Sequence, residues 1–286
     1  MTSEAFTELL PGKRDTAVVF ASPHSGRNYA QVFLGQSVLD ERAIRSSEDA
    51  YVDKLYADAP DAGAPMLVAT APRAYIDLNR AADEVDPALI AGAPVQSHNP
   101  RISSGLGVIP RVVSGGRAIY RGKITLEEAH RRVGRWWRPY HDRLQRLLDE
   151  SQFSFGQAIL VDCHSMPHEA LANMYRKGGS PAEIVLGDRY GATASSHVVE
   201  RIEAAFAAQG FTVARNAPFA GAYIAQHYGR PSRKQHVVQV EIDRALYMDE
   251  RTLELLPDFD ETRRRIASAV HEIADIGRRQ DRLAAE

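Results

Sequence analysis

Cysteine is nearly absent from this chain: Cys163 stands alone among 286 residues. One thiol excludes an intrachain disulfide and any zinc site built from several thiolates. A bound metal must therefore draw on the ten histidines and the carboxylates. No apolar run approaches the roughly 18 residues of a membrane span. The opening Met1-Thr2-Ser3-Glu4-Ala5-Phe6 has an early acid and no basic-then-apolar leader, so a cytoplasmic protein without a membrane partner is expected. An excess of either charge is lacking too. Lys plus Arg number 35 against 37 Asp plus Glu, a balance that argues against nucleic acid as a partner. Familiar enzyme signatures are also missing. There is no HExxH helix, no GxSxG elbow and no GxGxxG after a strand. Gly122-Lys123 is followed by Ile124 and lacks the earlier glycine of a phosphate-binding loop.

What is present is ordinary globular composition, 44% hydrophobic and 25% charged, over a length that suits one large α/β domain or two small ones. Short apolar runs predict strands at Ala17–Ala21, Met66–Thr70, Ala74–Asp77, Ala158–Val161, Glu183–Leu186, Phe211–Ala214 and Val237–Ile242. Helices are expected at Asp49–Ala59 and from a capping box at Thr125 and Glu128 to about Glu150. Two more are expected, from a Thr193 cap to Gln209 and over Asp260–Arg282. The arginines of these helices (Arg131, Arg132, Arg135, Arg138 and Arg263 to Arg265) stand beside glutamates and read as solvated faces. From Asn79 to Gly122 the chain is irregular, and a loop region of that length is usually functional. The alternation of strands and helices predicts one α/β domain over residues 1–286, a mixed or parallel sheet covered by helices.

Ligand sites in such sheets lie beyond the carboxyl ends of the strands. Here those ends read Ser22-Pro23-His24-Ser25-Gly26, Asp77-Leu78-Asn79-Arg80, Asp162-Cys163-His164-Ser165 and Val240-Glu241-Ile242-Asp243-Arg244. Taken singly, a histidine after a strand or an acid at a helix start more often has a structural role. Gathered on one rim, His24 and His164 suggest a metal pair, with the third ligand from Glu48-Asp49. Catalytic zinc often takes two histidines and one carboxylate, leaving a position open for water. Strand alternation turns Cys163 away from Asp162 and His164, which makes it a core residue rather than a nucleophile.

Five segments carry a resemblance: Ser-Pro-His-Ser-Gly, Ser-Glu-Asp-Ala-Tyr-Val-Asp, Tyr-Ile-Asp-Leu-Asn-Arg, Val-Asp-Cys-His-Ser and Gln-Val-Glu-Ile-Asp-Arg-Ala-Leu-Tyr-Met. Together, over about Val18 to Glu250, they resemble the N-formylglutamate amidohydrolase family. That family is similar in fold to zinc carboxypeptidases and aspartoacylase-type amidases, which implies a mixed, mostly parallel sheet of about eight strands between helices. The implied activity is hydrolysis of N-formyl-L-glutamate, an acidic N-acyl amino acid, in histidine degradation. The implied cofactor is one Zn2+ per chain. By the same likeness His24 and His164 match the metal histidines, and the acid falls on Asp49 or Glu48. Asp49 is preferred, because family members keep an Asp there. Glu241 matches the general base, and Asn79-Arg80 the pair that holds a substrate carboxylate. Arg73, Arg101, Arg111, Arg230 and Arg244 are further anchors to consider. In carboxypeptidases the first His and the acid share one loop, whereas here the acid lies 25 positions after His24. The rivals are a related amidase that removes another acyl group and a non-catalytic dicarboxylate-binding protein.

Overall fold

The apolar runs pair into one twisted sheet in the computed structural model, which describes residues 4–94, 99–171 and 181–278. The strands are β1 (Phe6–Leu9), β2 (Val18–Ser22), β3 (Met66–Ala69), β4 (Ile90–Ala91), β5 (Ile124–Thr125), β6 (Ala158–Met166), β7 (Ile184–Gly187), β8 (Val213–Arg215), β9 (Gln235–Asp243), β10 (Met248–Asp249) and β11 (Glu254–Leu255). Seven of them form the main sheet in the order β1-β3-β2-β6-β9-β7-β8. From β3 to β9 the neighbours run parallel. β1 is antiparallel to β3, and β7 and β8, parallel to each other, run antiparallel to β9. Among the described residues the sheet thus has seven strands, not about eight. It is mixed, with its parallel part at the centre.

Side chains alternate across the sheet, and each face has its own core. Val18, Phe20, Ile159, Val161, Cys163, Val238 and Val240 pack beneath the helices Ser196–Ala208 and Phe259–Ile276. Val19, Ala21, Leu67, Leu160 and Val237 pack against Tyr140, Leu144 and Leu147 of the Arg138–Phe155 helix on the other face. Along β6 and β9 that second face then changes character. After Leu160 come Asp162 and His164, and after Val237 come Gln239 and Glu241, all buried. The apolar core gives way to polar side chains at the carboxyl end of the two central strands, and the site lies there.

Several expectations need correction. Ala74–Asp77 is not a strand. Pro72 starts a turn, with Tyr75 and Ile76 amides donating to its carbonyl, and only Asp77 N pairs outward, to Val108 O. The Asp49–Ala59 helix shrinks to Val52–Leu55. Thr193 does not cap its helix, because its hydroxyl donates to Val237 O at 2.9 Å. Thr125 does cap, accepting from Glu128 N at 3.1 Å, but the Glu128 carboxylate serves Arg131 and Arg132, so only half the capping box forms. That helix runs on through a π segment, Val133–Trp137, to Phe155. The wide turn precedes Pro139, whose ring and missing N–H disfavour a regular turn there. Arg132 is not solvated. It is fully buried, paired with Glu128, bonded to Tyr120 Oη and stacked over Tyr75. The last helix ends at Ile276, and the expected stretch beyond 278 lies outside the described residues. Among those residues, no helix is long and apolar enough to cross a membrane.

Candidate functional site

Two loops are laced together above the sheet before any side chain enters the site. Gly26, just after β2, passes so close to the turn after β3 that an added Cβ would lie 2.1 Å from Ala71 O. Asn28 N donates to Thr70 O at 3.0 Å. Asp49 N donates to His24 O at 3.0 Å, which draws the 46–51 segment onto the same rim. Tyr51 follows in the left-handed region at φ 65°, turning the chain into its short helix.

On that frame His24, Asp49 and His164 converge, with one ligand atom from each lying within 4.8 Å of the others. Both Nδ1 atoms face the same oxygen: Asp49 Oδ2 is 3.0 Å from His164 Nδ1 and 3.4 Å from His24 Nδ1. Both Nε2 atoms point away, to Asp77 Oδ1 at 2.7 Å and to Asp162 Oδ2 at 3.1 Å. A carboxylate behind an imidazole fixes its orientation and raises its basicity, as in metal centres. Glu48 turns elsewhere. Its carboxylate accepts from Arg45 at 2.9 and 3.0 Å and from Tyr29 Oη at 2.9 Å.

Glu241 lies level with His164 on the neighbouring strand, and Gln239 lies level with Asp162. Gln239 Nε2 donates to Glu241 Oε1 at 2.7 Å. Burial pushes the Glu241 carboxyl up to about 7, with Asp49 and Asp162 adding to the rise while His164 and Arg73 oppose it. Asp49 shows the opposite balance. Burial disfavours its charge, but His164 and His24 outweigh this and hold its carboxyl well below the usual range. Burial likewise disfavours a charged His164, yet Asp162, Asp49 and Glu241 raise its pKa well above the ordinary value.

This charge set fits a cation. Asp49, Asp77, Asp162 and Glu241 are all buried, and besides the two histidines only Arg73 and Arg244 reach them as ion pairs among the described residues. His24 Nδ1 and Asp162 Oδ1 are buried without a hydrogen-bond partner among the described residues. An ion held by the two Nδ1 atoms and the Asp49 carboxylate would satisfy the first orphan and offset the acids.

The other residues singled out in the sequence divide between roles. Asn79 braces the cluster rather than standing free: its amide nitrogen is 3.1 Å from His164 Nε2, and its oxygen accepts from Ile224 N at 2.7 Å. Arg244 donates to Asp49 Oδ1 at 2.9 Å and to Ser165 Oγ at 3.1 Å. Arg73 pairs with Asp77 at 3.2 Å. Arg80 and Arg101 line the cleft of about 950 Å³ above the cluster. Arg80 Nε donates to Leu106 O and its Nη1 to Asn79 O. Arg111 is paired with Asp86 at 2.8 Å, and Arg230 is bonded to the carbonyls of Gln226 and Gly229. Neither lines the cleft.

Sequence reasoning passed over Gln239 and Arg189, both of which line the cleft. Gln239 stands two positions before Glu241 and shares its face by strand alternation alone. Arg189 follows the run Ile184–Gly187, a strand antiparallel to β9, so only the pairing of the sheet brings it toward the cleft.

Comparison with known proteins agrees with the motifs. A family model described as N-formylglutamate amidohydrolase matches residues 16–248. The chain is 30% identical over 236 residues to an N-formylglutamate deformylase of Pseudomonas putida, covering 82% of each. It is 30% identical over 247 residues to one of Pseudomonas aeruginosa, covering 85% of this chain and 86% of that one. A crystal structure of an N-formylglutamate amidohydrolase from Ralstonia eutropha superposes with a TM-score of 0.88 at 35% identity, over 95% of this chain and 98% of the other. A gene product of Agrobacterium tumefaciens shares the fold at a TM-score of 0.62 and 18% identity. With this identity and coverage, the chain belongs to the N-formylglutamate amidohydrolase family.

Proposed function

We propose that the chain is a single-domain, metal-dependent deformylase that hydrolyses N-formyl-L-glutamate to formate and L-glutamate. The observation that carries this reading is the convergence of His24, Asp49 and His164 beside Glu241, with His24 Nδ1 buried and without a hydrogen-bond partner among the described residues. The names of the two Pseudomonas relatives supply the substrate. His24 and His164 through Nδ1, and Asp49 through its carboxylate, would hold one divalent ion. Two histidines and one carboxylate suit zinc. When bound, such an ion supplies Lewis acidity, acidifying water and drawing electron density from a carbonyl oxygen.

The chain's own residues do the rest. Glu241 is the general base, and a carboxyl poised at about 7 can both take and return a proton near neutrality. Gln239 engages Oε1, which leaves Oε2 to accept the proton of the water that adds to the formyl carbon. The same atom then gives that proton to the departing amine. Asp77 and Asp162 keep both imidazoles turned toward the ligand position, and Arg244 and Arg73 hold the Asp49 and Asp77 carboxylates in place. Arg80 offers its guanidinium to a substrate carboxylate through a planar fork. The products fit the last step of a histidine-degradation route, as the resemblance implies, in a cytoplasmic setting.

Formate release from N-formylglutamate, compared with release from the N-acetyl and N-succinyl analogues, tests the activity. Glu241→Gln tests the mechanism. It should retain about one metal per chain by elemental analysis and lose roughly 10²–10⁴-fold in kcat. A variant purified without metal would make Glu241 a ligand, and an unchanged kcat would remove it from the chemistry.

A further inference from the structure

The positive charge of the cleft is not all committed to the metal cluster. Arg73 and Arg244 are paired with Asp77 and Asp49, whereas Arg80, Arg101 and Arg189 have no carboxylate within ion-pair distance among the described residues. Arg101 stands on the Arg80 side, where its carbonyl accepts from Leu106 N and Leu106 O accepts from Arg80, so Arg189 is the cation of the other side. Arg80 adjoins Asn79, whose amide nitrogen is 3.1 Å from His164 Nε2 on β6. Arg189 follows β7 and donates to Gly221 O, next to Ala222, whose N donates to Gln239 Oε1 on β9 at 3.0 Å. Both arginines line the one cleft.

Arg189 is held in place by a built and strained turn. Arg189 and Tyr190 are consecutive non-glycine residues in the left-handed region, at φ 52° and 57°, and Asn216, opposite them, is at φ 59°. A Cβ disfavours that conformation, and such residues cluster at working sites. Here Asp188 and Asn216, both buried, enforce it. Asn216 Nδ2 donates to Asp188 Oδ1 at 2.6 Å, Asn216 Oδ1 accepts from Asp188 N at 3.1 Å, and Asp188 Oδ2 accepts from Gly191 N at 3.1 Å. Arg189 N donates to Ala220 O at 2.8 Å, and its Nη1 donates to Gly221 O at 3.2 Å. A Cβ at Gly221, itself at φ 107°, would stand 3.2 Å from Arg189 Cγ, so the arginine stem requires a bare backbone beside it.

We infer that Arg189 is a specificity-determining residue that receives the side-chain carboxylate of the acidic amino acid, leaving Arg80 for the α-carboxylate. This rests on the amidase reading above. The α-carboxylate shares a carbon with the reacting nitrogen, so it must fall near the cluster. Arg80 is there, next to Asn79, which contacts His164. The side-chain carboxylate reaches farther out, toward the wall that Arg189 and Gly221 form. A guanidinium left facing a neutral amide would lose its charged partner, and this gives the discrimination.

The test compares N-formyl-L-glutamate with N-formyl-L-glutamine, which has the same shape without the charge, on the full-length protein supplied with zinc. Wild type should favour the acid by roughly 10–100-fold in kcat/KM. Arg189→Met should abolish that preference by raising KM for the acid alone, and Arg80→Met should depress both substrates alike. Arg189→Met lowering both substrates equally, or leaving the preference intact, overturns the inference. Arg189→Lys is the second variant should Arg189→Met fail to fold: a narrowed preference supports the assignment and an unchanged one sinks it. Wild-type protein releasing formate from neither substrate removes the amidase reading and the inference with it. Turnover of both without preference removes only the role of Arg189.

Discussion

Asp49 and Glu48 are adjacent in the chain and have opposite surroundings. One carboxylate touches two imidazoles and Arg244, and the other is held by Arg45 and Tyr29. Composition cannot separate them, since both are acids at the start of a short helix. The backbone does, through the bond from Asp49 N to His24 O and the left-handed turn at Tyr51. Asp49→Ala should therefore lose most of its metal on gel filtration, while Glu48→Ala keeps it and loses stability through the stranded Arg45. The reverse ranking of metal contents would reassign the ligand. Cys163, by contrast, was legible from alternation alone. It lies in the apolar core, where burial pushes its thiol up and keeps it from serving as a nucleophile.

At the scale of elements, the site depends on how closely the loops after β2 and β3 approach each other. Gly26 permits that approach, and a methyl group there meets backbone that cannot rotate away. Gly26→Ala should separate the His24 and Asp77 loops, lowering both the melting temperature and the metal affinity. A loss of roughly 1–3 kcal/mol is the scale of overpacking. Gly35, in the Gln31–Gln36 helix, has nothing within 4 Å of an added Cβ. Gly35→Ala should therefore be neutral or gain up to about 1 kcal/mol. Equal losses in the two variants, measured by thermal unfolding with and without chelator, would show that the loop contact is unimportant. The strands that carry the site were readable because their runs are apolar and alternate. The turn at Arg73–Tyr75 was misread as a strand because Ala74-Tyr75-Ile76 has the right residue types, and only Pro72 signals the turn.

Across the whole molecule, His141 joins three separate pieces over one face of the sheet. Its Nε2 lies 2.9 Å from Leu78 O, and its Nδ1 lies 2.9 Å from Tyr228 Oη. These partners suit a neutral ring that donates from Nε2 and accepts at Nδ1. Burial lowers its pKa to about 3, only partly offset by the bond to the Leu78 carbonyl. The unfolded chain, with an ordinary histidine pKa near 6.5, binds the proton first as the pH falls. Stability from this residue is therefore complete above about 6.5 and drains away as the pH drops toward about 3. Between pH 7 and pH 5, wild type should lose about 2 kcal/mol more than His141→Gln in urea unfolding. Parallel pH dependences would show that His141 titrates normally in the folded state.

The sequence alone determined where β2, β3, β6, β7, β8 and β9 run and which polar residues stand at the carboxyl ends of β2, β6 and β9, because alternation and strand-end chemistry are local properties. It missed the edge strand β1 and took the turn before Asp77 for a strand. His24, His164 and Glu241 were visible for that reason, and so was the choice between apolar core and polar rim along β6 and β9. Only the tertiary structure decided which acid and which arginines work together. Ion pairs such as Arg244 with Asp49 or Arg111 with Asp86 join residues far apart in the chain. Arg132 went inside because Tyr75 and Tyr120 close around it. Arg189 was hidden in sequence because its place in the cleft depends on β7 and the Pro218–Ala222 segment packing beside β9, a long-range arrangement that no local pattern encodes.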